Sequence, residues 1–143
     1  MSPGRILALD VGDVRIGVAV SDETNTISTG IDVIKRKYVS KDIEKIKDYI
    51  KEYNVSKVVV GLPLTLRGTK SAQTLKVEDF ISDLKKNLNV EITTFDESLT
   101  TAEGEEILIA ANMSRKKRKA VIDKVAAQII LQEYLELNRA QNN

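Results

Sequence analysis

The sequence predicts an α/β fold in which a mixed five-stranded sheet carries helices on both faces. Three observations predict it. Two short apolar segments, Ile6–Asp10 and Ile16–Ser21, are separated by a glycine-containing turn, which is typical of an antiparallel hairpin. A continuous apolar segment, Lys57–Gly61, has the pattern of a strand covered on both faces. Amphipathic helical patterns flank that segment, as expected where helices connect parallel strands.

The first half of the chain is predicted to complete a three-stranded meander and then form a helix. After a turn at residues 22–25, a third strand is predicted over Thr26–Ile34. The basic bend KRKY follows, and Ser40 is a suitable N-cap for a helix that Asn54 ends. The apolar face of this helix is predicted to contain Ile43, Ile46, Ile50 and Tyr53.

The second half is predicted to alternate helices with strands. A loop, LPLTLRGT, precedes a helix from about Ser71 to Asn87, and the segment VEITTF forms the fifth strand. The apolar residues predicted to form the buried face of this helix are Leu75, Phe80, Ile81, Leu84 and Leu88. Thr100 and Glu103 have capping-box spacing, so another helix is predicted to begin there. A last helix is predicted over about Ala120–Asn138, with its inward residues being Val125, Ala126, Ile129 and Ile130.

Length and composition exclude several classes of protein. The 143 residues suit one domain, 1–143, with residues 1–4 and 139–143 frayed. The net charge of +1 identifies no partner. The absence of cysteine and histidine excludes disulfides, thiolate metal sites and histidine-based triads. No signal peptide and no membrane-length apolar run is recognised, so a cytoplasmic protein without a membrane partner is expected.

Acidic residues are predicted to converge where the parallel strands end, which is where ligands bind in such sheets. Asp10 ends the first strand, Asp96 and Glu97 follow the fifth, and Asp123 lies in the first turn of the last helix. Each has a structural alternative, as a turn residue or a helix N-terminal charge, and Asp13 and Asp22 are interpreted as turn residues. Carboxylates gathered without histidine suit Mg²⁺ or Mn²⁺.

Four motifs resemble the YqgF family of pre-16S rRNA nucleases and Holliday-junction-resolvase-like proteins, which have the ribonuclease H fold. They are ALDVGDVRIGVAVSD, VVVGLPLTLRGT, DESLTT and RKKRKAVIDKVAAQIIL, and they span nearly the whole chain. The resemblance implies that Asp10, Glu97 and Asp123 are catalytic carboxylates that bind one or two Mg²⁺ or Mn²⁺ ions. Ser98 departs from the arginine usual in the family, and Thr65 departs from the usual asparagine.

Basic residues beside these acids are predicted to bind phosphates. The loop SRKKRK contains five consecutive cations, Arg115, Lys116, Lys117, Arg118 and Lys119, immediately before Asp123. Arg15, Arg67 and Lys70 are further candidates, and a solvated charge run is the alternative for the loop. Because aromatic residues are few, recognition of the backbone of structured RNA or branched DNA is favoured over base stacking.

The function expected from this resemblance is a metal-dependent nuclease that processes the 5′ end of pre-16S rRNA. A Holliday junction resolvase shares the same site, and a non-catalytic nucleic-acid-binding module belongs to a different class. The LDVG segment also resembles the phosphate loop of sugar-kinase or actin-like ATPases, but those folds need two such lobes and this chain has one. A monomer and a homodimer are both compatible with the sequence.

Overall fold

The computed structural model describes residues 4–63, 70–96 and 115–142, and within the last range it describes the side chains of residues 124–139. The five strands are β1 (Arg5–Val11), β2 (Arg15–Ser21), β3 (Ser28–Lys35), β4 (Val55–Leu62) and β5 (Glu91–Asp96). The helices of the described ranges are α1 (Val39–Glu52), α2 (Ala72–Asn87) and α3 (Arg115–Asn142). The predicted helix start at Thr100 and Glu103 lies outside the described residues.

The five strands form one mixed sheet in the order β3-β2-β1-β4-β5. The meander strands pair antiparallel, with Asp10 opposite Gly17, whereas β4 pairs parallel with both β1 and β5. Consequently β1, β3, β4 and β5 all end at the same side of the sheet, which we call the carboxyl edge. The predicted α/β fold with a mixed five-stranded sheet is confirmed.

Helices cover both faces of the sheet, because successive residues of the central strand are buried on opposite sides. Leu7, Leu9 and Val11 belong to the core beneath α1 and α2. Ile6 and Ala8 belong to a second core, in which α3 contributes Ala127, Ile130, Leu131 and Leu135. None of the helices in the described part of the chain combines the length and hydropathy needed to cross a bilayer.

The inward faces of α2 and α3 differ from prediction. Leu75 is 54% exposed, and Val77 is buried in its place. Val77, Phe80 and Leu84 are spaced by three and four residues and share one helix face, which Leu75 does not join. In α3 the buried residues include Ala127 and Leu131, whereas the predicted Val125 and Ile129 are half-buried.

The helix α1 begins earlier than the predicted cap at Ser40. Its N-cap is Tyr38, whose side chain makes no capping hydrogen bond. The carboxylate of the buried Asp42 instead accepts a hydrogen bond from the backbone N–H of Lys37 at 3.2 Å. The contact between Asp42 and the preceding segment therefore sets the start of the helix. Asn54 follows the helix with φ of 53°, as expected of a residue that ends one.

The helix α3 is longer than predicted at both ends. The predicted basic loop, residues 115–119, forms its first turns, so Asp123 lies in its third turn and not in its first. Lysine and arginine are good helix formers, and no glycine or proline interrupts the segment. Residues 139–142, predicted to fray, are helical. At the other end of the chain Gly4, which was also predicted to fray, is held in place because its carbonyl oxygen accepts a hydrogen bond from Asn25 Nδ2 at 3.3 Å.

Candidate active site

Asp10 lies at the carboxyl edge on the central strand of the sheet. It is half-buried, and strand alternation places it on the same face as Ile6 and Ala8, the face that α3 covers. Its cross-strand neighbour is Gly17, which contributes no side chain beside it. A carboxylate held in this way on a buried strand has a defined position and direction.

A tight turn after Asp10 connects β1 to β2. The N–H of Gly12 donates a hydrogen bond to the carbonyl oxygen of Arg15 at 2.8 Å. A Cβ atom at position 12 would lie 2.9 Å from that same oxygen, closer than real Cβ contacts allow. The close approach of the two backbone segments therefore requires glycine here.

Arg36 anchors this turn from the other side. Its Nη1 donates to the Gly12 carbonyl oxygen at 2.9 Å, and its Nε lies 3.1 Å from Oδ2 of the buried Asp42. Its guanidinium carbon lies 4.9 Å from the centre of the Phe80 ring. The sequence analysis missed this role and described KRKY only as a bend. The available signal was position, since Arg36 lies two residues after the buried Ile34 in an extended segment.

The N-terminus of α2 also lies at the carboxyl edge. Ser71 and Thr74 form a capping box, and Thr74 Oγ1 donates to the Pro63 carbonyl oxygen at 2.5 Å. Lys70, a predicted phosphate ligand, forms an ion pair with Glu78 at 3.0 Å. The structure thus brings Lys70 to the expected edge but gives its ammonium group a carboxylate partner.

The other two predicted carboxylates, Glu97 and Asp123, have no described side chains. Asp96 is the last residue of β5 and lies at the carboxyl edge, whereas Glu97 lies outside the described residues. Asp123 lies in α3, and its side chain is outside the described set. Among the side chains that the structure describes, no three acidic residues gather into a group that could hold a metal ion. The three-carboxylate site therefore stays a prediction.

Two glutamine side chains of α3 form hydrogen bonds with the backbone of the edge strand β3. Gln132 Oε1 accepts from the N–H of Ser28 at 3.0 Å, and Gln128 Oε1 accepts from the N–H of Gly30 at 3.4 Å. A Cβ atom on Gly30 would lie 2.6 Å from Lys124 Cγ and 3.1 Å from the Lys124 carbonyl oxygen. This close contact fixes the helix beside Asp123. Sequence analysis missed it, although glutamines four residues apart on a helix were visible.

The predicted basic residues have different outcomes. Arg15 begins β2 at the carboxyl edge, half-buried and in register with Lys35 of β3. Arg67 lies outside the described residues. The five cations of residues 115–119 occupy the first turns of α3, and their side chains are not described. Phosphate binding by these residues stays a prediction.

Asp22 is a turn residue, as predicted, and lies at the opposite edge of the sheet from Asp10. Its carboxylate accepts from the N–H groups of Thr26 at 2.7 Å and Ile27 at 3.0 Å. A hydrogen bond from the Thr24 hydroxyl, followed by these backbone donors, lowers the pKa of Asp22 to about 2. Its role is to hold the β2–β3 turn.

Comparison with known proteins identifies the family. A family model described as RuvX, Holliday junction resolvase, matches residues 4–137. A protein of Thermoanaerobacter pseudethanolicus named "Putative pre-16S rRNA nuclease" is 50% identical over 133 residues, covering 92% of this chain and 96% of that protein. A protein of the same name from Natranaerobius thermophilus is 45% identical over 139 residues, covering 97% of this chain and 99% of that protein.

Solved structures show the same fold at low sequence identity. The Thermus thermophilus RuvC structure matches with a TM-score of 0.55 and 11% identity, covering 95% of this chain and 96% of that one. The fowlpox virus Holliday junction resolvase matches with a TM-score of 0.54 and 17% identity, covering 92% of this chain and 98% of that one. The strand order and the helices on both faces agree with this ribonuclease H-like fold. The chain belongs to the RuvX family, as its four motifs predict.

Proposed function

We propose that this protein is a cytoplasmic nuclease that hydrolyses phosphodiester bonds in the 5′-end processing of pre-16S rRNA. The observation that carries the proposal is the position of Asp10, half-buried at the carboxyl edge on the face that α3 covers. The names of relatives that are 50% and 45% identical over nearly the whole chain support an RNA substrate. The family description supports a nuclease.

Sheet and helix geometry supports a shared site for Asp10 and Asp123. Gln128 of α3 is bonded to Gly30 of β3, and α3 runs opposite to β3, so earlier residues of α3 lie nearer the carboxyl edge. Asp123 precedes Gln128 by five residues, which is about 7.5 Å of helix. Asp10 and Val33 lie in one row across the sheet, because both are in register with Gly17. Counted along β2, this row lies two residues beyond the row of Gly30, which at about 3.3 Å per residue is close to the same distance. Ile31 is the extra residue of an irregularity in β3 and adds no row. These distances support a similar height along the sheet for Asp10 and for the backbone of Asp123, on the face that α3 covers.

The end of β5 supports the inclusion of Glu97 in the same site, because Asp96, the residue before it, lies at the carboxyl edge. The parallel strands β4 and β5 place Asp96 two strands away from β1, about 10 Å across the sheet, at the same edge. Asp10, Glu97 and Asp123 would together supply only oxygen donors, and the chain has no histidine or cysteine to compete with them. This donor set fits Mg²⁺ or Mn²⁺. When bound, such an ion lowers the pKa of water and stabilises the leaving oxygen.

The remaining residues of the site hold and orient the substrate. The glycine turn after Asp10 is closed by the contact between Gly12 and Arg15 and anchored by Arg36, so the backbone beside the carboxylate has a fixed position. Arg15 lies at the same edge, and residues 115–119 lie at the start of the helix that contains Asp123. Contacts from these cations to phosphates would bind nucleic acid with little dependence on base sequence.

A Holliday junction resolvase is the second candidate. The description of the matching family model favours it, and Thermus thermophilus RuvC, whose fold this chain shares, has been solved in complex with a Holliday junction. The identity to RuvC is 11%, against 50% to the relative named as an rRNA nuclease, so we favour RNA. The presence of all three acids in the sequence disfavours a non-catalytic binding module.

A side-by-side cleavage assay tests these alternatives. Labelled precursor rRNA spanning the 5′ end of 16S rRNA and a labelled four-way DNA junction are incubated with the protein in Mg²⁺, Mn²⁺ or EDTA. We expect metal-dependent cleavage of the RNA, loss of cleavage in Asp10→Asn, and normal cleavage in the matched control Asp22→Asn. Faster cleavage of the junction would make the resolvase the correct assignment. Binding without cleavage of either substrate would support the binding module instead.

A further inference from the structure

An exposed basic surface lies at the carboxyl edge and is formed by residues other than 115–119. Lys35 ends β3, Lys37 and Tyr38 follow it, and Lys41 lies in the first turn of α1. All four side chains are exposed, and Tyr38 is 60% exposed. We call these four residues the β3–α1 surface. In a chain with two Phe, four Tyr and no Trp, it places an aromatic ring among three lysines.

This surface adjoins the turn that follows Asp10. Lys35 is in register with Arg15 at the start of β2. The N–H of Arg36 donates to the carbonyl oxygen of Val14 at 2.9 Å, which joins the segment directly to the turn. A nucleic acid with a phosphate near Asp10 would therefore meet these lysines next.

The segment that carries the surface is anchored from within. Arg36 turns inward, and its side chain bonds to Asp42 and to Gly12, while Asp42 also accepts from the N–H of Lys37. Because Arg36 is turned inward, its neighbours Lys35 and Lys37 face solvent. The backbone that carries these lysines is consequently anchored by a largely buried ion pair, so the segment itself does not have to be ordered when a ligand binds.

The charge of the surface is not neutralised within the described part of the chain. Lys35, Lys37 and Lys41 form no ion pair with any residue that the structure describes. The same three lysines line a groove of about 440 Å³ together with four carboxylates, of which Asp42 is paired with Arg36 and Asp32 accepts a hydrogen bond from the Tyr49 hydroxyl. The groove's other two acids, Glu44 and Asp48, lie farther along α1 and bound the basic surface on that side.

We propose that the β3–α1 surface binds a short unpaired segment of the nucleic-acid substrate next to the cleavage site. Its lysines contact backbone phosphates, and the ring of Tyr38 stacks on a base. Three uncompensated cations beside one exposed ring match the pattern of a single-strand contact. This inference rests on the proposed nuclease function, and it adds a requirement for unpaired nucleotides beside the cut.

A salt titration of binding tests the lysines. The triple variant Lys35→Gln, Lys37→Gln, Lys41→Gln is compared with the control Lys51→Gln, Lys85→Gln, Lys86→Gln, which removes the same charge from exposed positions at the other ends of α1 and α2. The probe is a labelled RNA hairpin with a single-stranded extension, in EDTA so that it is not cleaved. We expect the slope of log K against log salt to fall by about 2 in the surface variant, roughly 0.7 per single-strand phosphate contact. The control should keep the parent slope.

Substitution of Tyr38 tests stacking. We expect Tyr38→Ala to weaken binding of the extended hairpin by about tenfold, Tyr38→Phe to restore it, and neither to change binding of a blunt hairpin without the extension. Equal effects on both hairpins would overturn the stacking assignment. An unchanged salt slope in the lysine triple variant would overturn the proposal that the β3–α1 surface binds nucleic acid.

The outcome separates this inference from the proposed function. If the parent cleaves RNA while the lysine variant binds and cleaves like the control, the binding role of the β3–α1 surface is rejected and the nuclease function is retained. If the salt slope changes as expected but the parent cleaves neither RNA nor a DNA junction, the binding role of the β3–α1 surface is retained and the nuclease function is rejected. Thermal unfolding of each variant confirms that the fold is retained.

Discussion

Arg36 Nη1 donates a hydrogen bond to the carbonyl oxygen of Gly12 at 2.9 Å, and so joins the segment after β3 to the turn after Asp10. The two residues are 24 positions apart in the chain. The same guanidinium group pairs with Asp42, whose side chain is 3% exposed. The position of the turn beside the candidate catalytic carboxylate therefore depends on a buried ion pair that belongs to α1.

Replacement of Arg36 by methionine should destabilise the protein by about 3 kcal/mol, because it leaves the buried Asp42 carboxylate without its partner. The matched control is Arg5→Met at the opposite edge, where Arg5 pairs with the exposed Glu23 and lies over the Tyr53 ring. That change should cost less than about 1 kcal/mol. Urea unfolding measures both values. Similar losses in the two variants would mean that the Arg36 pair contributes no more than a surface contact.

Asp10→Asn should reduce single-turnover cleavage by at least about 100-fold while the fold is retained. The change removes the charge of a proposed metal ligand, and loss even of residues that support such ligands costs 10- to 100-fold. Circular dichroism and a thermal melt check the fold. Cleavage at the parent rate would remove Asp10 from the catalytic site, and an unfolded variant would indicate a structural role.

Addition of Mn²⁺ or Mg²⁺ should raise the melting temperature, because an ion that binds only the folded state stabilises it by mass action, by about 2.7 kcal/mol at 100 times its dissociation constant. The increase should shrink in Glu97→Gln and in Asp123→Asn. Glu23→Gln, an exposed acid paired with Arg5 away from the site, is the control and should respond like the parent. An equal increase in all four proteins would contradict a site formed by Glu97 and Asp123.

Asp22 should contribute to acid stability in a defined pH range. Its pKa is lowered from 3.8 to about 2 in the folded protein, so its contribution is fully present above about pH 4 and is lost as the pH falls towards 2. The stability difference between the parent and Asp22→Asn should therefore decrease across that range. Urea unfolding at several pH values measures it. A difference that does not change with pH would contradict the lowered pKa.

Gly30→Ala should destabilise the protein by about 1–3 kcal/mol and reduce cleavage, because the new methyl group would press on Lys124 and move the helix that contains Asp123. Adding Lys124→Ala removes the contact with Cγ but leaves the contact with the backbone oxygen at 3.1 Å, so rescue should be partial. Full rescue by Lys124→Ala would show that only the lysine side chain, and not the helix backbone, limits the contact.

Local patterns in the sequence were sufficient for the β1–β2 hairpin, the buried strand β4, the start of α2 near Ser71 and the turn role of Asp22. Each depends on neighbours within a few residues, such as the hydrogen bonds from Thr24, Thr26 and Ile27 to Asp22. The position of Asp10 at the carboxyl edge also follows from strand order, since parallel strands end on one side. Position in the chain also indicated Asp96, Glu97 and Asp123, and the resemblance to the family assigned the catalytic roles to Asp10, Glu97 and Asp123.

Tertiary structure alone decided which helix faces are buried and what holds the site. Val77, and not the predicted Leu75, lies in the core because the sheet beneath α2 sets which face of the helix is buried. The start of α1 depends on Asp42 and Arg36, and the position of α3 depends on Gln132 bonding to Ser28, 104 residues earlier. The contact between Gln132 and Ser28 gains its energy from groups that are distant in the chain and close only after folding, so the pattern of residues in α3 does not show which strand the glutamine binds.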